Sequence, residues 1–218
     1  MKLDFEDIPA SGKDVLFLED LAMGYDGQPL FAGVNLTLRQ GERIVLLGPN
    51  GSGKTTLLRG IAGQLAPLAG RIRLGANVHV GYYSQEQEGL DEASNSFEEI
   101  RRVAAMGETE ARSFLHHFLF SGDDVFVPVG NLSYGERARL ALAKLVAAGC
   151  NLLLLDEPIN HLDIPSRERF EQGLAAFEGT VLAVVHDRYF IQRFATGLWA
   201  MERGTIRRYV DLEDMQRE

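Results

Sequence analysis

Apolar positions recur along this chain in two rhythms. Val34, Leu36 and Leu38 alternate with Asn35, Thr37 and Arg39, the period of a strand with one wet face. Val15-Leu16-Phe17-Leu18 reads as an earlier strand, and Tyr25-Asp26-Gly27 as a turn before the next apolar stretch. Gln40-Gly41-Glu42 turns the chain into Ile44-Val45-Leu46-Leu47, so residues 15–43 predict a small antiparallel sheet. Residues 71–74 and 78–83 read as further strands. Residues 151–155 and 180–185 are continuous apolar runs, the pattern of parallel strands covered on both faces. Between these sets the rhythm changes. Phe97, Ile100, Val103 and Ala104 fall at helical spacing within an acidic stretch, 86–111, and a second helix carries Phe114, Leu115, Phe118 and Leu119. Residues 166–177 predict another helix, and 198–210 a closing hairpin through Glu202-Arg203-Gly204. The last eight residues are polar and are expected to fray. An α/β core with a helical lobe inserted into it is the fold this pattern predicts.

Composition narrows the setting. The chain has 218 residues, 45% apolar and 24% charged, enough for a proper core. No apolar run approaches the roughly 20 residues that span a bilayer. Acidic residues stand near the start where a signal peptide wants a basic and then an apolar stretch, so the expected location is cytoplasmic, with no membrane partner. The one cysteine, Cys150, cannot form an internal disulfide and reads as a buried thiol. A net charge of −9 argues against broad nucleic-acid binding and leaves a local basic patch open.

Chemistry concentrates in a few stretches. Gly48-Pro49-Asn50-Gly51-Ser52-Gly53-Lys54-Thr55-Thr56 follows an apolar strand and opens a helix, the context that a phosphate-binding P-loop requires. Its glycines let backbone N–H groups form a nest, and the helix points its positive end at the same place. Lys54 is placed to reach β- and γ-phosphates and Thr55 to hold Mg²⁺, which implies a nucleoside triphosphate. Asp156 and Glu157 follow a buried strand directly, at the edge where parallel sheets bind ligands. There Asp156 can hold Mg²⁺ through water, and Glu157 can orient or deprotonate an attacking water. His186 follows residues 180–185 in the same way and can reach the γ-phosphate or that water. Gln85, beyond residues 78–83, can reach Mg²⁺ or the water. Ser133 and Glu136 in Leu132-Ser133-Tyr134-Gly135-Glu136 have capping-box spacing, so this stretch starts a helix and can also bind a phosphate through Ser133 and Gly135. The pair His116-His117 has no further ligand candidate at useful spacing and reads as an ordinary helix feature. Arg203, Arg207 and Arg208 read as the solvated face of the hairpin.

Taken in order, the P-loop, Gln85, the 132–136 stretch, the run ending Asp156-Glu157-Pro158, Asn160-His161-Leu162-Asp163 and Val185-His186-Asp187-Arg188 resemble a nucleotide-binding domain of the ATP-binding cassette superfamily, from about residue 15 to 209. That resemblance implies a P-loop NTPase of ABC type: one domain over residues 1–218, with 15–85 and 151–210 as core and antiparallel β-subdomain, and 86–150 as the helical lobe. It also implies head-to-tail pairing around two Mg–ATP, with Ser133, Tyr134, Gly135 and Glu136 serving the partner's ATP. Asn160, His161, Leu162 and Asp163 are then at the interface, and Tyr25 stacks on adenine. Tyr82-Tyr83-Ser84-Gln85, Asn160-His161-Leu162-Asp163 and His186-Asp187-Arg188-Tyr189-Phe190 resemble the ABC-F subfamily, whose members carry two cassettes and in many cases act on ribosomes as translation or antibiotic-resistance factors. The implied reading is a second, C-terminal cassette of such a protein, an ATPase whose partners are another cassette and the ribosome. The competing expectation is the ATPase subunit of a transporter, against which the short, acidic lobe argues. One departure stands out: Ile159 occupies a position usually held by threonine.

Overall fold

A computed structural model describes residues 11–84 and 89–217. Gln85 lies outside them. The described chain falls into two compact units, one made of the chain up to Tyr82, Asn151–Glu157 and the chain from Gly179 onward, the other of Tyr83–Cys150 and Pro158–Glu178.

The first unit holds two sheets. β1 (Asp14–Tyr25) and β2 (Gln28–Arg39) form a hairpin, closed by Asp26 and Gly27 with φ of 52° and 75°. Two successive positive φ values make the turn whose twist matches that of its strands. β4 (Ala69–Leu74) pairs antiparallel with the other side of β1, Leu18 lying opposite Ile72 as well as Leu36. Val15, Leu16, Leu18, Leu21 and Met23 of β1 are buried in the same apolar cluster as Phe31, Val34 and Leu38 of β2. The expected antiparallel sheet is present, and residues 71–74 belong to it.

The second sheet has the order β5-β6-β7-β3-β8-β9. It is built from β3 (Arg43–Leu47), β5 (Val80–Tyr83), β6 (Leu152–Asp156), β7 (Thr180–Val184), β8 (Gly197–Glu202) and β9 (Thr205–Tyr209). The pairs β6–β7, β7–β3 and β3–β8 are parallel, and β9 closes the edge antiparallel to β8. β6 and β7 are buried at every position, which is why they read as unbroken apolar runs. Leu46 and Asp156 both lie opposite Val184, so β3, β7 and β6 end side by side. α1 (Lys54–Ile61) covers this unit with Leu57, Leu58 and Ile61. Two helices follow the last two crossings of the chain: α6 (Arg188–Phe194), capped by Asp187, and α7 (Leu212–Gln216). The latter stands where fraying is expected; the Asp211 side chain accepts from the Asp214 amide at 2.8 Å and starts a helical turn.

The second unit is helical. α2 (Ser96–Val103) is capped by Asn95, α3 (Glu108–His117) follows, and α4 (Tyr134–Ala147) starts at the Ser133–Glu136 capping box. α3 stops before Leu119, whose φ of 63° ends the helical path. α5 (Ile164–Ala175) also belongs here, capped by Asp163. The division of residues 86–150 as lobe and 151–210 as core therefore needs correction: residues 158–178 join the lobe. Phe170 of α5 is fully buried and meets the Tyr83 ring edge-on at 6.1 Å, and Gly173 sits against the Phe118 ring. The acidic stretch is partly internal, since Glu99 is fully buried between Arg102 at 2.6 Å and Lys144 at 2.5 Å. Cys150 is buried, and its burial raises the thiol's pKa. Among the described residues, no helix is long and apolar enough to cross a membrane.

Candidate nucleotide site at the sheet edge

Three neighbouring parallel strands bring the chemistry of the first unit together. β3 leads into the P-loop, β6 ends on Asp156, and β7, between them, is followed by His186 two residues past its end. This is the carboxyl edge of a parallel sheet, where such folds hold ligands.

The loop has the backbone that its glycines allow. Gly48, Gly51 and Gly53 have φ of 152°, 79° and 103°, and Gly53 is the left-handed N-cap of α1. A Cβ on Gly48 would come within 2.9 Å of both the Met201 Cβ and the Ser52 Oγ. Packing from β8 thus leaves no room for a side chain there. The Lys54 ammonium is folded into the loop and donates to the Gly48 and Pro49 carbonyls, both at 2.9 Å. Burial lowers its pKa, and the carboxylates of Glu157 and Asp156 push it back up. A cation nested in a glycine turn at a helix N-terminus is the donor set for a polyphosphate.

Asp156 is 5% exposed and accepts a hydrogen bond from the Tyr82 hydroxyl at 3.3 Å. Burial, chiefly, and the charge of Glu157 raise its pKa; Thr55, Tyr82 and Arg59 pull it down. No group of three or more His, Cys, Asp or Glu able to hold a metal lies among the described residues. Mg²⁺ needs no such group: one or two carboxylates beside a substrate's phosphates can hold it, and Asp156 and Thr55 are side chains able to do so here.

Glu157 takes a left-handed φ of 50°, and its amide donates to the Val184 carbonyl at 3.1 Å. β7 therefore fixes the backbone that carries this carboxylate. The Glu157 Oε1 lies 3.6 Å from the His186 Nε2, a contact longer than a hydrogen bond and short enough to tighten into one. Tyr25, at the end of β1, is 47% exposed, and its hydroxyl is 3.4 Å from the Thr56 Oγ1. An exposed ring tethered by its hydroxyl is available for stacking.

In the second unit, the Ser133 Oγ donates to the Glu136 Oε2 at 2.6 Å, the Ser133 amide donates to the same oxygen, and Ser133 lowers the Glu136 pKa. A Cβ on Gly135 would meet the Ser166 Oγ at 2.5 Å, so α4 and α5 approach there as closely as glycine permits. The Tyr134 and His161 rings meet edge-on at 6.3 Å, and Asp163 caps α5 through the Ser166 amide at 2.9 Å. The 133–136 and 160–163 stretches thus touch one another. Ile159 is buried in this unit, 2% exposed.

Two residues without a role in the sequence reading sit beside Asp156. Tyr82 lies on β5, next to β6, and its phenol, with that of Tyr25, raises the pKa of the Arg59 guanidinium on α1. The usable signal is that Tyr82 stands near the carboxyl end of the strand that neighbours β6.

The buried charge of Asp156 carries a stability prediction. Its folded pKa is raised, so ionisation costs stability once the pH climbs above the ordinary 3.8 and through the raised value. Asp156→Asn removes that cost. In EDTA, the variant is expected to melt higher at neutral pH, by on the order of 1 kcal/mol or about 3 °C. The gain should vanish below the ordinary carboxylate pKa. A lower melting temperature at pH 7 would refute it.

Comparisons with known proteins identify relatives of this chain. The family model described as "ABC transporter" matches residues 31–160. The chain is 46% identical over 208 residues to YdiF of Bacillus subtilis, whose name describes it as ATP-binding, covering 94% of this chain and 32% of that protein. It is 39% identical over 212 residues to ABC transporter F family member 5 of Arabidopsis thaliana, covering 96% of this chain and 31% of that one. The chain thus spans about a third of the length of the curated relatives it matches. Among solved structures, the ATP binding subunit of an ABC transporter superposes with a TM-score of 0.77 over 93% of this chain and 92% of that one. At 21% identity this likeness speaks to fold alone.

Proposed function

The chain belongs to the ABC family of ATPases, its sequence kin being of the F type, and on that footing we propose that it binds Mg–ATP, hydrolyses it when paired head-to-tail with a second cassette, and couples that closure to work on the ribosome. The observation that carries the catalytic part is the convergence of Lys54, Thr55, Asp156, Glu157 and His186 at adjoining strand ends of one sheet edge.

Each residue has a task there. Lys54 and the loop amides hold the β- and γ-phosphates, and Tyr25 stacks on the base. Thr55 and Asp156 hold Mg²⁺, which, when bound, neutralises charge that develops on the phosphoryl oxygens. Glu157 accepts a proton from the attacking water, and His186 holds Glu157 and the γ-phosphate side in line. Ser133 and Gly135 complete the partner's site, for which Ser133 must exchange its 2.6 Å bond to Glu136 for one to phosphate. Gln85 is proposed as a further ligand to the metal or the water. Catalysis in this scheme is positioning and charge stabilisation.

The ribosome is proposed from the ABC-F likeness, and the cytoplasm as the place follows from it. A single assay tests both levels. Because half of each site comes from a partner, turnover per chain should rise with chain concentration and level off once pairs form, at a fixed saturating Mg–ATP concentration. A rate per chain independent of concentration over about 100-fold would refute composite sites. Added ribosomes should raise the turnover; an unchanged rate would withdraw the ribosomal part and favour a transporter subunit.

A further inference from the structure

We propose that Tyr82 is a positioning residue for the metal-holding carboxylate of Asp156.

The direction of the hydrogen bond follows from what each group can do. An ionised carboxylate has acceptors only, so the phenol donates its single proton to the Asp156 Oδ2, 3.3 Å away. Asp156 is almost wholly buried, and the Tyr82 hydroxyl on its Oδ2 restricts how the carboxyl group can turn. For Mg²⁺, which demands near-ideal octahedral geometry, the orientation of a lone carboxylate is decisive. β5 lies next to β6 in the sheet, which keeps the phenol within reach of the strand end that carries Asp156.

This inference rests on Asp156 being the metal-holding carboxylate of an ATP site. The test is Tyr82→Phe, which keeps the ring and removes the hydroxyl. ATP affinity is measured by calorimetry in EDTA; Mn²⁺ affinity of the ATP-saturated chain is read from the free-ion paramagnetic resonance signal. ATP affinity in EDTA should stay within twofold of the unaltered chain. Mn²⁺ affinity should fall about tenfold, the lower end of what losing a partner to a metal ligand costs. The Mg²⁺ concentration for half-maximal hydrolysis should rise by the same factor, with turnover restored at high Mg²⁺. Mn²⁺ affinity within twofold of the unaltered chain overturns the proposal. So does a parallel loss of melting temperature and metal-free ATP affinity, the mark of a purely structural role. If the unaltered chain binds no ATP in either buffer, the site reading itself fails, which is a different result from a Tyr82 variant that binds ATP and metal normally.

Discussion

Glu157→Gln is expected to reduce ATP hydrolysis about 1000-fold while leaving ATP bound with near-normal affinity. The substitution conserves size and hydrogen-bonding reach and removes only the ability to take a proton. The backbone around it should persist, since the left-handed turn at residue 157 is held by an amide bond to the Val184 carbonyl that the side chain does not enter. A positioned general base contributes roughly 10²–10⁴-fold. Glu157 also orients the water, so the loss belongs in the upper part of that range. Single-turnover hydrolysis beside equilibrium ATP binding separates the two effects. A loss below about tenfold would mean that another group takes the proton.

Lys54→Met should act on the opposite quantity, weakening ATP binding by about 100-fold. The aliphatic stem of Lys54 is buried, and methionine keeps that packing. What goes is the ammonium, with its charge-assisted bonds to two phosphates, worth on the order of 3 kcal/mol together. The ammonium also bonds the Gly48 and Pro49 carbonyls, so its removal frees the loop that supplies the remaining donors. Titration calorimetry with ATP measures the loss directly. An affinity within threefold of the unaltered chain would show that the loop does not bind phosphate in the manner described.

Much of this site could be read from residues because its signals are local. An unbroken apolar strand ending in Asp156-Glu157, and a glycine loop between a strand and a helix, state their own geometry, and the sheet order then places them side by side. His186 needed only the further step that two buried parallel strands end at the same edge. What escaped depends on packing partners. Helical periodicity marks Phe170 and Leu174 as buried without saying which element buries them, so α5 was assigned to the core and belongs with the lobe. β4 is mostly exposed, and nothing in its residues tells that it pairs with β1. Asp211 is a cap that a polar tail conceals. Tyr82 sits inside a family-like stretch whose visible feature is Gln85, and its bond to Asp156 crosses between strands 74 positions apart in sequence.

The claim on which the mechanism depends is that one cassette completes the site of another. The most direct measurement is the mass in solution of Glu157→Gln, with and without Mg–ATP. One chain is expected without nucleotide and two chains with it, since slowed hydrolysis traps the closed pair. The pair should disappear when Ser133 is also replaced by arginine. A mass that stays that of a single chain while ATP is demonstrably bound would contradict head-to-tail completion by Ser133 and Gly135.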